Sequence, residues 1–369
     1  MRRVIVIGGG LSGLISAIQL VKAGINVTLF ERKKYPFHRV CGEYISNETI
    51  PFLKTNGIYP SDFKLPQIHR LQLTAVNGKA AELPLAQGGW GISRYELDHF
   101  LYKKALTAGV VFHLNTEVDS VSFVDEEFKI STSAQTFTAD VVIGAFGKRS
   151  KMDMQMKRPF IQKRSPYVGI KYHIRKNHPD DCIALHNFQN GYCGMSNIEN
   201  EKTNLCYLTH RDNVKRFKNI REMEEAVLFK NPFLKDIFEN AEFLFDKPEV
   251  INEISFEAKA PVEDHVLMSG DAAGLIAPLC GNGMAMAIHS AKIVSELVSS
   301  FCADRITREE LEKQYEQKWK STFAQRLWAG KKIQHLFGST WTSNLAVNTA
   351  RYMSPFAQFL IRQTHGRPF

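Results

Sequence analysis

Gly8, Gly10 and Gly13, in the stretch GGGLSG, stand at the spacing G-x-G-x-x-G. In such a pattern the first glycine permits a tight turn and the second lets backbone approach a pyrophosphate. The third packs a helix against a strand, and the helix N-terminus adds partial positive charge. Glu31 closes the next apolar run, INVTLFE. A carboxylate there accepts hydrogen bonds from an adenosine ribose and disfavours a 2′-phosphate. The spacing therefore reads as a dinucleotide site for FAD or NAD rather than NADP.

A second constellation lies in SGDAAGLIAPLCGNGMAMAI, residues 269–288. Asp271 sits between an apolar run and small residues, where a carboxylate needs partners such as ribityl hydroxyls or backbone amides. Gly281, Asn282 and Gly283 then open a long helix, whose first amides suit negative charge on a reduced flavin ring. Between the two motifs, VCGEYIS (40–46) gathers the Cys41 thiol, the Glu43 carboxylate and a serine hydroxyl. Cys41, Glu43 and the upstream His38 are candidate proton donors. A thiol reacts as thiolate only when its pKa is lowered, and Cys41 fits equally as a small apolar residue beneath a ring. Arg94, in ISRYELDHFL, enters a helix from which it could reach cofactor phosphate or ring.

These residues need a scaffold. RVIVI (3–7) reads as a buried parallel strand, residues 11–23 as a helix with Leu14, Ala17, Ile18 and Val21 on one face, and 25–31 as a second strand. Residues 95–108 predict a helix, 110–114 a strand, and VDSVSFVD with FKISTSA a hairpin. TADVVIGAFG and HVLMSGDAAG each run from a strand into a glycine turn. Residues 160–255 differ, because VGIKYHI, IALHNF, GYCGMSNI and TNLCYLTH alternate and carry aromatics, the mark of an antiparallel sheet. A helix is expected at 219–230, a long one at 284–301, and more from 307 onwards, broken near Gly338 and Pro355. The fold class is α/β: a Rossmann-like (GR2-type) domain from 1–75, 95–155 and 256–303, an interleaved antiparallel-sheet substrate domain from 76–94 and 156–255, and a basic helical segment, 304–369.

Composition narrows the function classes. With 44% hydrophobic and 23% charged residues, the chain is ordinary for a soluble globular protein. Its six cysteines form no CxxC and no paired spacing with histidines, which argues against a zinc site or disulfide framework and suits a reducing, cytoplasmic setting. MAMAIHSAKIVSELVSSF is interrupted by His289, Lys292 and Glu296, so no transmembrane segment is expected. The net charge of +9 is concentrated, because after Glu316 no acid occurs and eight lysines and arginines do. Such a block is either a solvated helical face or a site for an anionic partner, an acidic carrier protein or a lipid headgroup, the last of which would place the protein peripherally at a membrane surface. No nucleic-acid module is present.

Taken in order, GGGLSGLISAIQLVKAGINVTLFER, RVCGEYIS, ISRYELDHFL, VVIGAFGKRS and GDAAGLIAPLCGNGMAMAI resemble the FAD-dependent oxidoreductases of the p-hydroxybenzoate hydroxylase and geranylgeranyl reductase superfamily. The resemblance implies FAD bound by Gly8, Gly10, Leu11, Ser12, Gly13, Glu31, Arg32, Arg39, Cys41, Arg94, Gly147, Asp271, Gly281, Asn282, Gly283 and Met284. It implies no metal, and NAD(P)H as reductant. One departure is Ala145-Phe146-Gly147, where the superfamily reads A-D-G. Phe146 accepts no hydrogen bond, which puts the usual nicotinamide route in question. The cysteine-glycine pair at 41–42 is similar to the geranylgeranyl reductase branch, and the absence of W-x-W-x-I-P argues against halogenation.

Three functions follow from this resemblance. A reductase would deliver hydride to a C=C bond of a hydrophobic prenyl or polyene substrate, and Cys41 leans that way. A monooxygenase would use O₂ to hydroxylate an aromatic or polyketide ring, free or carrier-bound. A non-catalytic flavin-binding protein is the alternative of another class. Tyr167, Tyr172, Phe188 and Tyr192 are candidates to line a greasy slot.

Overall fold

The computed structural model describes residues 2–334 and 339–369. The chain begins β1 (Arg3–Ile7), α1 (Leu11–Lys22), β2 (Asn26–Glu31), β3 (Tyr44–Ser46), α2 (Ile50–Thr55), β4 (Gln67–Thr74), β5 (Ala80–Gly91), α3 (Arg94–Ala108) and β6 (Val111–Leu114). It continues through β7 (Val118–Val124), β8 (Glu127–Thr132), β9 (Thr136–Ala139), β10 (Val141–Gly144), α4 (Lys151–Gln155), β11 (Tyr167–Arg175), β12 (Cys182–Phe188), β13 (Gly191–Asn197) and β14 (Thr203–His210). Next come α5 (Arg211–Lys215), α6 (Ile220–Val227), α7 (Pro232–Asn240), β15 (Glu242–Phe243), β16 (Glu249–Asn252), β17 (Val262–Glu263) and β18 (Val266–Met268). Four helices finish it: α8 (Gly283–Cys302), α9 (Arg308–Gln334), α10 (Thr340–Tyr352) and α11 (Ser354–Arg362).

One sheet has the order β17-β18-β10-β1-β2-β6, parallel except for the β17–β18 hairpin. Four of the five residues of β1 are buried, as a central strand covered on both faces requires. The helix α1 was expected to bury one face. It buries nearly all of its circumference instead, because α3 and α8 pack on the sides that the sheet leaves open.

The second sheet has nine strands, β15-β11-β14-β13-β12-β4-β5-β3 with β16 beside β11. Here the expected boundary at residue 75 needs correction. β4 pairs with β12 and β5, and β3 pairs with β5, so residues 44–46 and 67–74 belong to this sheet. The alternating apolar pattern of IHRLQLT is that of a half-buried strand, and sequence position alone hid its partner. Strand alternation sorts β11 into two faces: Ile170, Tyr172 and Ile174 pack with Met223 and Leu234 from the α6–α7 side, leaving Gly169, Lys171 and His173 for the other. The chain breaks at Met353, between α10 and α11, beside Pro355; the break expected near Gly338 lies outside the described residues.

Candidate active site

One continuous cavity of about 1080 Å³ runs between these sheets. That is at the upper end of the ~300–1,000 Å³ usual for ligand pockets. Gly8, Gly10, Leu11, Ser12, Glu31, Arg32, Arg39, Arg94, Gly147, Asp271, Gly281, Gly283 and Met284 line it, together with His38, Cys41 and Glu43. Gly13 and Asn282 are not on its wall. Gly13 fulfils the packing role read from its spacing, since a Cβ there would lie 2.0 Å from Gly8 O. Asn282 is fully buried, and its Nδ2 donates to Thr364 O at 2.8 Å. Its side chain therefore ties down the C-terminal segment rather than contacting a cofactor.

Two helices aim their N-termini at this cavity, and neither is capped by a side chain. The N-cap of α1 is Gly10 and that of α8 is Asn282, with no side-chain cap bond at either. By contrast, the N-cap of α3 is Ser93, whose hydroxyl accepts from Glu96 N. Uncapped first-turn amides suit anionic groups. At Gly8 the backbone has φ +104°, and a Cβ would lie 2.4 Å from Ala145 O, so this turn accepts glycine alone. Glu31 Oε2 accepts from Gly9 N at 2.9 Å and from Arg39 at 3.2 Å, while Oε1 accepts from Lys33 N at 3.1 Å. A carboxylate has about four lone-pair positions, so capacity for a ribose hydroxyl remains.

Asp271 has no hydrogen-bond partner for its carboxylate among the described residues. Burial raises its pKa, and the charges of Lys259, Arg94, Lys148 and Arg39 pull it back down. Lys259 donates to Lys148 O and Asp271 O, both at 2.7 Å. Burial lowers Lys148 and Lys259 to about 8 each, against the pull of nearby acids. An unpartnered carboxylate, two open helix ends and a cationic rim fit the ribityl, diphosphate and ring portions of a flavin dinucleotide.

The VCGEYIS stretch lies across the middle of the cavity. Glu43 is held at φ +54°, a left-handed conformation that costs a non-glycine residue of order 1 kcal/mol or more. Its fully buried carboxylate accepts from Lys171 Nζ at 2.5 Å, Arg94 N at 2.7 Å and His173 Nε2 at 2.7 Å. Burial alone would raise this carboxyl, but the Lys171 charge and the His173 hydrogen bond outweigh it and hold it down at about 2. Glu43 is thus ionised, with its oxygens engaged, and cannot serve as the proton donor its position suggested. Burial and the Lys171 charge lower His38 to about 4, so it is neutral at pH 7. Its ring stacks on Tyr95 at 4.6 Å and packs near Phe245 at 4.7 Å. Burial also pushes the Cys41 thiol up, with Arg94 opposing, so the residue carries a protonated thiol at the cavity wall.

Lys171, His173 and Asp98 were not singled out from the sequence. Asp98 bridges two arginines, receiving Arg94 Nε and NH2 at 2.7 and 2.8 Å and Arg39 Nε at 3.0 Å. For Lys171 and His173 a signal existed: VGIKYHI places two basic residues two apart on one face of an otherwise apolar strand.

Away from these polar groups the wall is aliphatic. Leu71, Leu73, Leu83, Leu85, Ile183 and Leu185, on β4, β5 and β12, face Ala346, Ala350, Ala357 and Ile361 of α10 and α11. Of the aromatics expected there, only Tyr192 lines the cavity; Tyr172 and Phe188 point into the core on the opposite face.

A profile of the FAD binding domain family matches residues 1–327. The chain belongs to this family. Among relatives, a digeranylgeranylglycerophospholipid reductase of Methanococcus vannielii is 24% identical over 340 residues, 86% of this chain and 82% of that protein. A kynurenine 3-monooxygenase of Salinispora arenicola is 23% identical over 346 residues, 81% of this chain and 72% of that protein. A geranylgeranyl bacteriochlorophyll reductase-like structure from Thermoplasma acidophilum superposes with TM-score 0.77 at 17% identity, covering 98% of this chain and 95% of that one. The protein is an FAD-dependent oxidoreductase. Among the described residues, no helix is long and apolar enough to cross a membrane.

Proposed function

We propose that this protein is a geranylgeranyl reductase-like enzyme that saturates C=C bonds of an extended apolar substrate of prenyl or polyene type, with NAD(P)H as electron source. The observation that carries the reading is that one cavity holds both the Cys41 thiol and the aliphatic wall between the second sheet and α10–α11. FAD, when bound, supplies the two-electron chemistry. Saturating a double bond also needs a proton, and Cys41 Sγ carries one at neutral pH, as any thiol does whose pKa is not lowered. Glu43, ionised, and His38, neutral, hold none to give. Glu43 instead positions the turn: Lys171, His173 and the Arg94 amide fix it from three sides, and Asn204 Nδ2 donates to Cys41 O at 3.2 Å. The aliphatic wall excludes water and accepts a chain by burial alone, at about 25 cal/mol per Å².

The test is anaerobic turnover. Flavin-loaded protein, chemically reduced, is given geranylgeranyl diphosphate or a conjugated polyene acid, and products are read by mass. A gain of two hydrogens per reacted bond supports the proposal. Hydroxylated product with matching O₂ consumption would overturn it in favour of the monooxygenase reading, which the kynurenine 3-monooxygenase relative keeps in view. No substrate-dependent reoxidation of the flavin would leave a flavin-binding protein.

A further inference from the structure

Large apolar side chains left in water are scattered singly on most proteins, and contiguous ones mark an interaction surface. Among the described residues twelve are exposed, and seven of them fall between residues 328 and 359: Trp328, Trp341, Leu345, Tyr352, Met353, Phe356 and Phe359. Their spacing is helical. Trp341, Leu345 and Tyr352 share one face of α10, and Phe356 and Phe359 share one face of α11. On α9, Trp328 lies on the same face as Lys331 and Lys332, all three exposed. Arg351, Arg362 and Arg367 are exposed as well, and no acidic residue follows Glu316 in the sequence, although Glu257 Oε1 lies 3.8 Å from Lys331 Nζ.

Two of these residues do double duty. Leu345 and Phe356 are 45% and 48% exposed, yet both also line the cavity. The apolar patch is therefore continuous with the cavity wall through the rim formed by α10 and α11. The inner faces of the same helices, Ala346, Ala350, Ala357 and Ile361, close over the aliphatic end of the cavity.

We propose that α10 and α11, with the end of α9, dock this protein on the surface of an anionic lipid bilayer and open the cavity toward it. Aromatic side chains enter the interfacial layer while lysines and arginines meet anionic headgroups, the arrangement that holds interfacial helices on membranes. A substrate dissolved in the bilayer then reaches the aliphatic wall past Leu345 and Phe356 without crossing water. The access route rests on the apolar-substrate reading above; the docking does not, because it follows from the outer surface alone.

The chain carries its own reporters. Trp328 and Trp341 are 66% and 75% exposed, whereas Trp90 and Trp319 are 0% and 4% exposed. Flavin-loaded protein is mixed with vesicles of phosphatidylcholine alone or of phosphatidylcholine with phosphatidylglycerol, and binding is read by co-sedimentation and tryptophan emission. On anionic vesicles the protein sediments, its emission shifts to the blue, and brominated acyl chains quench it. Raising the salt weakens binding. Lys332→Ala lowers the partition about fivefold, the contribution of one surface charge. Trp328→Phe/Trp341→Phe still sediments but loses the spectral shift, and Trp341→Ser/Phe359→Ser releases the protein while its flavin content stays unchanged.

Equal binding to neutral and anionic vesicles would overturn the proposal, as would no binding to either. So would a patch found buried between two copies of the chain in solution, or one that binds an acidic carrier protein and no vesicle. None of these readouts uses turnover, so docking and catalysis fail separately.

Discussion

Replacing Lys171 by methionine removes the charge that faces Glu43 Oε1 at 2.5 Å, in a pair whose side chains are both 0% exposed. Removing one partner of a buried pair leaves the other charge uncompensated, which costs about 3–5 kcal/mol. The Glu43 carboxyl gives a second route to the magnitude. It is near 2 in the folded protein, against about 4.3 in an unfolded chain, a difference of about 3 kcal/mol by linkage. Because the folded value is depressed, this stabilisation is present above about pH 4.3 and is lost as pH falls toward 2. His173 and the Arg94 amide survive the substitution, so the low end, about 3 kcal/mol, is expected. Urea unfolding of flavin-saturated protein at pH 7, with flavin concentration fixed, measures it. Lys171→Met/Glu43→Gln should recover more than half of the loss, since no buried charge is then left unpaired. In Lys171→Met the part of the acid limb between about pH 4.3 and 2 also flattens, because the Glu43 carboxyl is no longer held below its unfolded value. A loss below about 1 kcal/mol, or a double variant no better than the single, would refute the account of Glu43 as a buried anion held by its neighbours.

Gly13→Ala should yield protein without flavin, because its Cβ would meet Gly8 O at 2.0 Å; a full yellow spectrum would contradict that cradle. Cys41→Ala should keep its flavin and lose turnover by about 10²-fold, the lower range for a proton donor, and an unchanged rate would leave the thiol as packing. FAD affinity should fall as pH rises through about 8, where Lys148 and Lys259 lose the charge they present beside Asp271; a dissociation constant flat from neutral to alkaline pH would count against their contribution.

The dinucleotide half of the site was legible because its constraints are local. A glycine spacing, a following helix and a strand-end acid occupy about thirty consecutive residues, and the structure places Gly8, Gly10 and Glu31 on one cavity. The substrate half was not legible in the same way. Lys171 reaches Glu43 across 128 positions of sequence, and the aliphatic wall joins strands near residues 70 and 183 to helices near 350. Contacts of that range are set by sheet order, which no local pattern encodes. Glu43 shows the cost: its type suggested a donor, and only its partners reveal an anion.

The burial of α1 on nearly every side has a consequence during synthesis. Its outer cover, α8, emerges from the ribosome only after about 260 further residues, roughly 13–50 s later at 5–20 residues per second. Through that interval a helix bearing Leu11, Leu14, Ile15, Ile18 and Leu20 has the sheet and, once made, α3 against it, and nothing on the side that α8 will cover. The cavity, which is lined by the N-termini of both helices, is likewise completed late in the life of each new molecule.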